Sequence, residues 1–165
     1  LALVIVSFAL IFILYSGKRS LPLLYLFTFI MGAIISPILG VAIVVGPELI
    51  LEAFAITSIV FIALTAYGLT TKRDFSFLGG ILFTLLLIVI IISVTSIFIA
   101  LPINALWLDV FVALLFAGFV LYDMSNIRRR YSNDDYIPAV VSLYIDFINL
   151  FVRILSILIR LKQRE

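Results

Sequence analysis

The chain has 165 residues, 65% of them hydrophobic and only 12% charged, with a formal charge of +2. A soluble domain carries about 25% charged residues, and a globule this short leaves too much of its surface in water to hide so much apolar material; a soluble fold is excluded. Cysteine and histidine are both absent, which removes disulfides, thiolate chemistry and Cys- or His-bound metals and leaves carboxylates as the proton and ion ligands, a set that suits hard cations such as calcium or magnesium.

Six apolar stretches follow one another, separated by short polar breaks. The first, residues 1–15, begins at Leu1 without a methionine and falls short of the ~20 residues that cross a bilayer. No cationic segment precedes it and no small-residue cleavage site follows it, so it does not read as a signal peptide; the expectation is a chain that lacks its true N-terminus. Gly17-Lys18-Arg19-Ser20 makes a basic turn. Pro22 suits the first turn of a second helix, 22–45, which Ser36-Pro37 should bend and whose Gly32 and Gly40 permit close packing. Gly46-Pro47 breaks the chain before a third helix, 48–71, and Lys72-Arg73-Asp74 is the next loop. A fourth helix, 75–100, ends before Pro102. The fifth, 104–127, leads into the longest loop, Arg128-Arg129-Arg130-Tyr131-Ser132-Asn133-Asp134-Asp135, and the sixth, 137–159, into a basic tail of Arg160, Lys162 and Arg164. The expected fold is all-α, one polytopic membrane bundle over residues 1–165.

The three basic loops alternate with the uncharged turns at Gly46-Pro47 and Leu101-Pro102, so all three fall on one face, the cytoplasmic one by the positive-inside rule. Basic residues in such loops report orientation and not nucleic-acid binding. The tail is out of step, since a full sixth crossing puts Arg160, Lys162 and Arg164 outside.

Charge inside a membrane is costly and marks function by default. Glu52, Asp123, Asp146 and Arg153 lie within helices, whereas Glu48 and Asp109 lie near helix ends, where water or headgroups reach them. Asp123 and Asp146 each have an asparagine three residues on, Asn126 and Asn149, on the same helical face. On helix six the stripe continues as Ser142, Asp146, Asn149, Arg153 and Ser156, at spacings of four, three, four and three. Such a stripe on an otherwise apolar helix faces protein or water. Helices five and six should be antiparallel neighbours, and two carboxyls brought together in a low dielectric would share a proton and titrate as a pair: a hydrogen-bonded plug when protonated, a cation site when ionised. The structural alternative is that Asp146 pairs with Arg153 and Asp123 caps a helix end. For Glu52, with Thr57 and Ser58 nearby, structural bonding and pathway lining stand level.

At these residues the chain resembles the transmembrane Bax inhibitor motif, or lifeguard, family. Ser142-Leu143-Tyr144-Ile145-Asp146-Phe147-Ile148-Asn149-Leu150-Phe151 resembles its last-helix signature, and Leu121-Tyr122-Asp123 with the basic run after it the segment upstream. Asp134-Asp135-Tyr136-Ile137-Pro138, Phe27-Thr28-Phe29 with Gly32 and Ser36-Pro37, Leu51-Glu52-Ala53-Phe54, and Thr71-Lys72-Arg73-Asp74-Phe75-Ser76 add matches in order along essentially the whole chain. The resemblance implies a seven-helix bundle with the last helix central, of which these six helices are the second to seventh. It implies calcium leak across membranes and, in eukaryotes, suppression of cell death. In bacterial members two aspartates on the last two helices form a proton-sensitive pair that controls the pore, and those positions fall on Asp123 and Asp146. An arginine of the first basic loop latches that pair in the family; here Lys18 and Arg19 lie somewhat shifted from it, and Arg153, where a neutral residue is common, is placed to share the role.

The reading is therefore a pH-sensitive calcium (cation) leak channel, with lipid, calcium and protons as partners, Asp123 and Asp146 as ion site and sensor, and Asn126, Asn149, Arg153, Glu52, Lys18 and Arg19 in support. The short loops point to a prokaryotic cytoplasmic membrane, and no cofactor is expected. A proton-coupled cation exchanger and a non-transporting membrane scaffold are the alternatives. An intramembrane aspartyl protease fits less well: Tyr122-Asp123 resembles one half of the presenilin pattern, but no glycine precedes Asp146 in Leu143-Tyr144-Ile145.

Overall fold

The computed structural model describes residues 9–14, 21–99, 103–130 and 136–164. Residues 9–14 are helical (α1), followed by α2 (Leu21–Val45), α3 (Glu48–Thr70), α4 (Leu78–Phe98), α5 (Ala105–Arg130) and α6 (Tyr136–Lys162). Among the described residues there is no strand. The last five helices are each long and apolar enough to cross a membrane. Six spans are expected from the sequence, and the rest of the first lies outside the described residues. The chain is a polytopic α-helical membrane bundle.

The expected helix limits shift where side chains take over backbone groups. Helix four begins at Leu78 and not at 75, because Asp74 Oδ1 accepts the Ser76 amide at 2.9 Å and holds a turn ahead of the helix. Helix five runs a turn longer, to Arg130, with Arg128 and Arg129 reaching across to the α3–α4 loop. Pro37 sits inside α2 without ending it.

α6 is the centre of the bundle, and its sequence explains why. α2, α3 and α4 are apolar on nearly every face, as suits helices facing lipid, and expose residues such as Phe29, Val44 and Phe98. α6 alone is strongly two-sided. It enters every buried cluster: Ile137 and Val141 pack with Leu10, Leu14, Phe27 and Ile30; Phe151, Leu155 and Ile159 with Ala42, Leu49 and Ala53; Leu150 with Leu82, Val89, Val112, Leu115 and Phe116. It touches α2, α3 and α5, whereas α4 packs on α5.

Close approach is made by other glycines than expected. A Cβ at Gly32 or Gly40 would meet nothing within 4 Å, whereas one at Gly68 would lie 2.8 Å from Met124 Cβ and one at Gly79 2.6 Å from the Tyr122 ring. The Met124 Cβ is fixed to the backbone of α5, so relief requires α3 and α5 to separate. Gly68→Ala should cost about 1–3 kcal/mol, seen as a lower thermal midpoint in detergent; an unchanged midpoint would show that the α3–α5 contact is loose.

Candidate functional site

Short connections force α5 and α6 into antiparallel contact, and their register brings Asp123 to Asp146. Both line a cavity of about 200 Å³ with Leu86, Phe116, Phe119, Tyr122, Ser142 and Ile145. The two carboxyl groups thus face one cavity, and since ionised carboxylates only accept, a hydrogen bond between them needs a proton on one of them. Asp146 is 3% exposed and its Oδ2 has no hydrogen-bond partner, a condition that a buried polar atom rarely tolerates without water or an ion. Gly79 leaves the room that the Tyr122 ring occupies at the cavity wall, a contact between α4 and α5 with no visible signal in the sequence.

The supporting residues divide. Asn149 turns away from the pair, its Nδ2 donating to the Ile145 carbonyl of its own helix at 2.8 Å. Asn126 keeps a buried Oδ1 without a partner. Glu52 is exposed near the start of α3, in a cavity of about 300 Å³ with Glu48, Leu158 and Lys162, remote from the aspartate pair. Lys18 and Arg19 lie outside the described residues.

Arg153 joins neither aspartate of the pair. Its Nη1 lies 2.9 Å from Asp109 Oδ1, and Arg160 Nε lies 2.8 Å from Asp109 Oδ2. The Asp146–Arg153 pairing left open by the sequence is not made, and the latching role for Arg153 has no contact to rest on. Asp109, expected at the water interface, is 3% exposed and takes one arginine on each carboxylate oxygen. A signal for it was present. Asp109 stands fourteen residues before Asp123, Arg160 fourteen after Asp146, so four helical turns carry the same antiparallel register from one pair to the other. Arg160 is thus an ion-pair partner in the last turn of α6, which weakens its weight as an orientation signal.

At the other end of α5, Asp74 holds the α3–α4 loop. Its Oδ1 accepts from Ser76 N and from Ser125 Oγ at 3.3 Å, and its Oδ2 pairs with Arg129 at 3.1 Å. Ser125 Oγ in turn accepts the Phe75 amide at 3.2 Å. Arg129 also donates to the Lys72 carbonyl, and Arg128 to those of Leu69 and Thr71. Ser125, two residues beyond Asp123, is 1% exposed and ties the loop to the helix that carries the site. The hydrogen bonds from Ser76, then the Arg129 charge and the Ser125 hydroxyl, hold the Asp74 carboxyl below its ordinary 3.8. A depressed folded-state pKa contributes stability above the unfolded value and loses it as pH falls through the folded one. The clamp should therefore stay intact from pH 5 to 8. A carboxyl titration by NMR should put the Asp74 midpoint under 3.8; a midpoint above 5 would contradict the geometry.

Residues 1–164 match the family described as Inhibitor of apoptosis-promoting Bax1. The chain belongs to the Bax inhibitor family. A Vibrio cholerae membrane protein is 40% identical over 136 residues, 81% of this chain and 60% of that one. Bax inhibitor 1 of Schizosaccharomyces pombe is 39% identical over 162 residues, covering 97% and 61%, and protein lifeguard 4 of Mus musculus 40% over 156, covering 92% and 64%. The chain thus spans under two thirds of the length of these Bax inhibitor relatives.

Proposed function

We propose that this Bax inhibitor chain forms the conducting part of a pH-sensitive cation leak channel, with calcium its main ion and Asp123 and Asp146 its proton and ion site. The observation that carries the reading is the meeting of these two carboxyls, from α5 and α6, in one cavity, with Asp146 Oδ2 buried and unpartnered. With one proton between them the carboxyls bond and close the passage. Without it they repel, or accept a cation in the proton's place. Carboxylate oxygens suit calcium. The basic residues of the Lys72-Arg73 loop and of Arg128 to Arg130 at the end of α5 favour a cytoplasmic position for the Asp74 end of the bundle, and the bacterial relative is in keeping with a prokaryotic cytoplasmic membrane. The name of the yeast relative, Bax inhibitor 1, points to inhibition of Bax for that protein.

The test is calcium entry into liposomes holding the purified chain, read from pH 5 to 8. Flux above that of empty vesicles, rising as the pair loses its proton, supports the channel; flux equal to that of empty vesicles at every pH removes it. An exchanger would use the same carboxyls, but its calcium flux would need an opposing proton gradient.

A further inference from the structure

The polar face of α6 does not stop at Asp146. It continues through Asn149, Arg153 and Ser156. Ser156 and Arg160 line a cavity of about 320 Å³ near the C-terminal end of α6, and Arg160 also lines a second one of about 310 Å³ with Asn104. Along α6 the Arg153–Asp109 pair stands between the carboxylate cavity and these two, whose walls Arg160 helps to form. The three side chains of this cluster carry one negative and two positive charges, so its net charge is +1. The negative one is almost wholly buried, with 4% of its side chain exposed, while the arginines are 32% and 42% exposed. Arg153 Nε has no hydrogen-bond partner, so Asp109 does not use up the guanidinium's donors.

We propose that Asp109, Arg153 and Arg160 form a net-positive barrier on the route from the Asp123–Asp146 cavity to the far end of α6, and that it sets the passage of divalent relative to monovalent cations. The inference rests on the channel reading. The work of moving an ion past a fixed charge scales with the charge of the ion. A barrier of this kind holds back calcium twice as strongly, in free energy, as potassium, and its removal changes the two fluxes by different factors. Asp109 keeps the barrier low by offsetting one arginine.

The full chain is reconstituted in liposomes at low ionic strength, where screening is least, and calcium and potassium fluxes are measured in parallel at one pH. For Arg153→Gln the expected result is potassium flux up about threefold and calcium flux up about tenfold, the square of the first factor. Arg160→Gln should follow the same relation, and it serves if Arg153→Gln does not reconstitute. Arg153→Lys, which keeps the charge but not the planar fork, should hold the calcium-to-potassium ratio near that of the wild type. Equal increases for both ions would mean a loosened helix contact and would overturn the barrier, as would an unchanged ratio. Wild-type chain without any cation flux overturns the channel reading and the barrier together; wild-type flux with an unchanged ratio in both glutamine variants removes the barrier alone.

Discussion

Asp146→Asn lowers calcium flux by about tenfold or more and flattens its dependence on pH between 5 and 8. Asparagine has nearly the shape of aspartate, so the buried wall around position 146 is kept. Its amide donates to Asp123 at every pH, as the protonated carboxyl would, and the site is held in its closed arrangement. It also brings no negative charge with which to draw a cation from water. The effect is large because both consequences act in the same direction: the plug no longer opens, and the cavity loses half of its attraction for a cation. A variant with wild-type flux and wild-type pH profile would remove Asp146 from the mechanism.

Asp109→Ala is the substitution with the largest expected cost in stability. It takes away the partner of both Arg153 and Arg160 and leaves two guanidinium groups facing each other in a half-buried space. Breaking a buried pair typically costs 3–5 kcal/mol. The arginines here are partly exposed and keep some water, so about 2–3 kcal/mol is the expected loss. For a chain of this size that lowers the thermal midpoint by about 5–10 °C. The double variant Asp109→Ala with Arg153→Gln should recover part of the loss, because one uncompensated charge goes with it. A midpoint within about 1 °C of wild type for Asp109→Ala would mean that the cluster is solvated and holds nothing together.

Much of this architecture is visible in the chain before it folds, because lipid makes the pattern simple. Apolar runs broken by Gly46-Pro47, Lys72-Arg73-Asp74 and Arg128 to Arg130 leave little choice of helix order. The polar stripe on α6 is legible because every other span lacks one, and its central place follows from the need to bury it. The pairing of Asp123 with Asp146 follows once α5 and α6 are antiparallel. Partner choice is not legible in the sequence. Arg153 lies two turns from Asp146 on its own helix, but its charge is answered by Asp109 on α5, which sits one turn from a helix start, where sequence alone predicts water. Distance from a helix end measures depth only for a helix standing alone, and α6 covers this one. Gly32 and Gly40 read as packing sites for a similar reason: sequence shows a missing side chain, not which face a neighbour takes. Ser125 and Asp74 gave no sign of their role in the loop, since their contact spans fifty-one residues.

The central claim is that Asp123 and Asp146 act as one unit, and a double-mutant cycle on calcium flux tests it most directly. Flux is measured across pH 5 to 8 for the wild type, Asp123→Asn, Asp146→Asn and the double variant. A shared proton and a shared ion site predict that either single change removes most of the pH-dependent flux and that the double variant loses little more. Losses that multiply, with each single variant keeping its own pH step, would show two independent carboxylates and contradict the paired site.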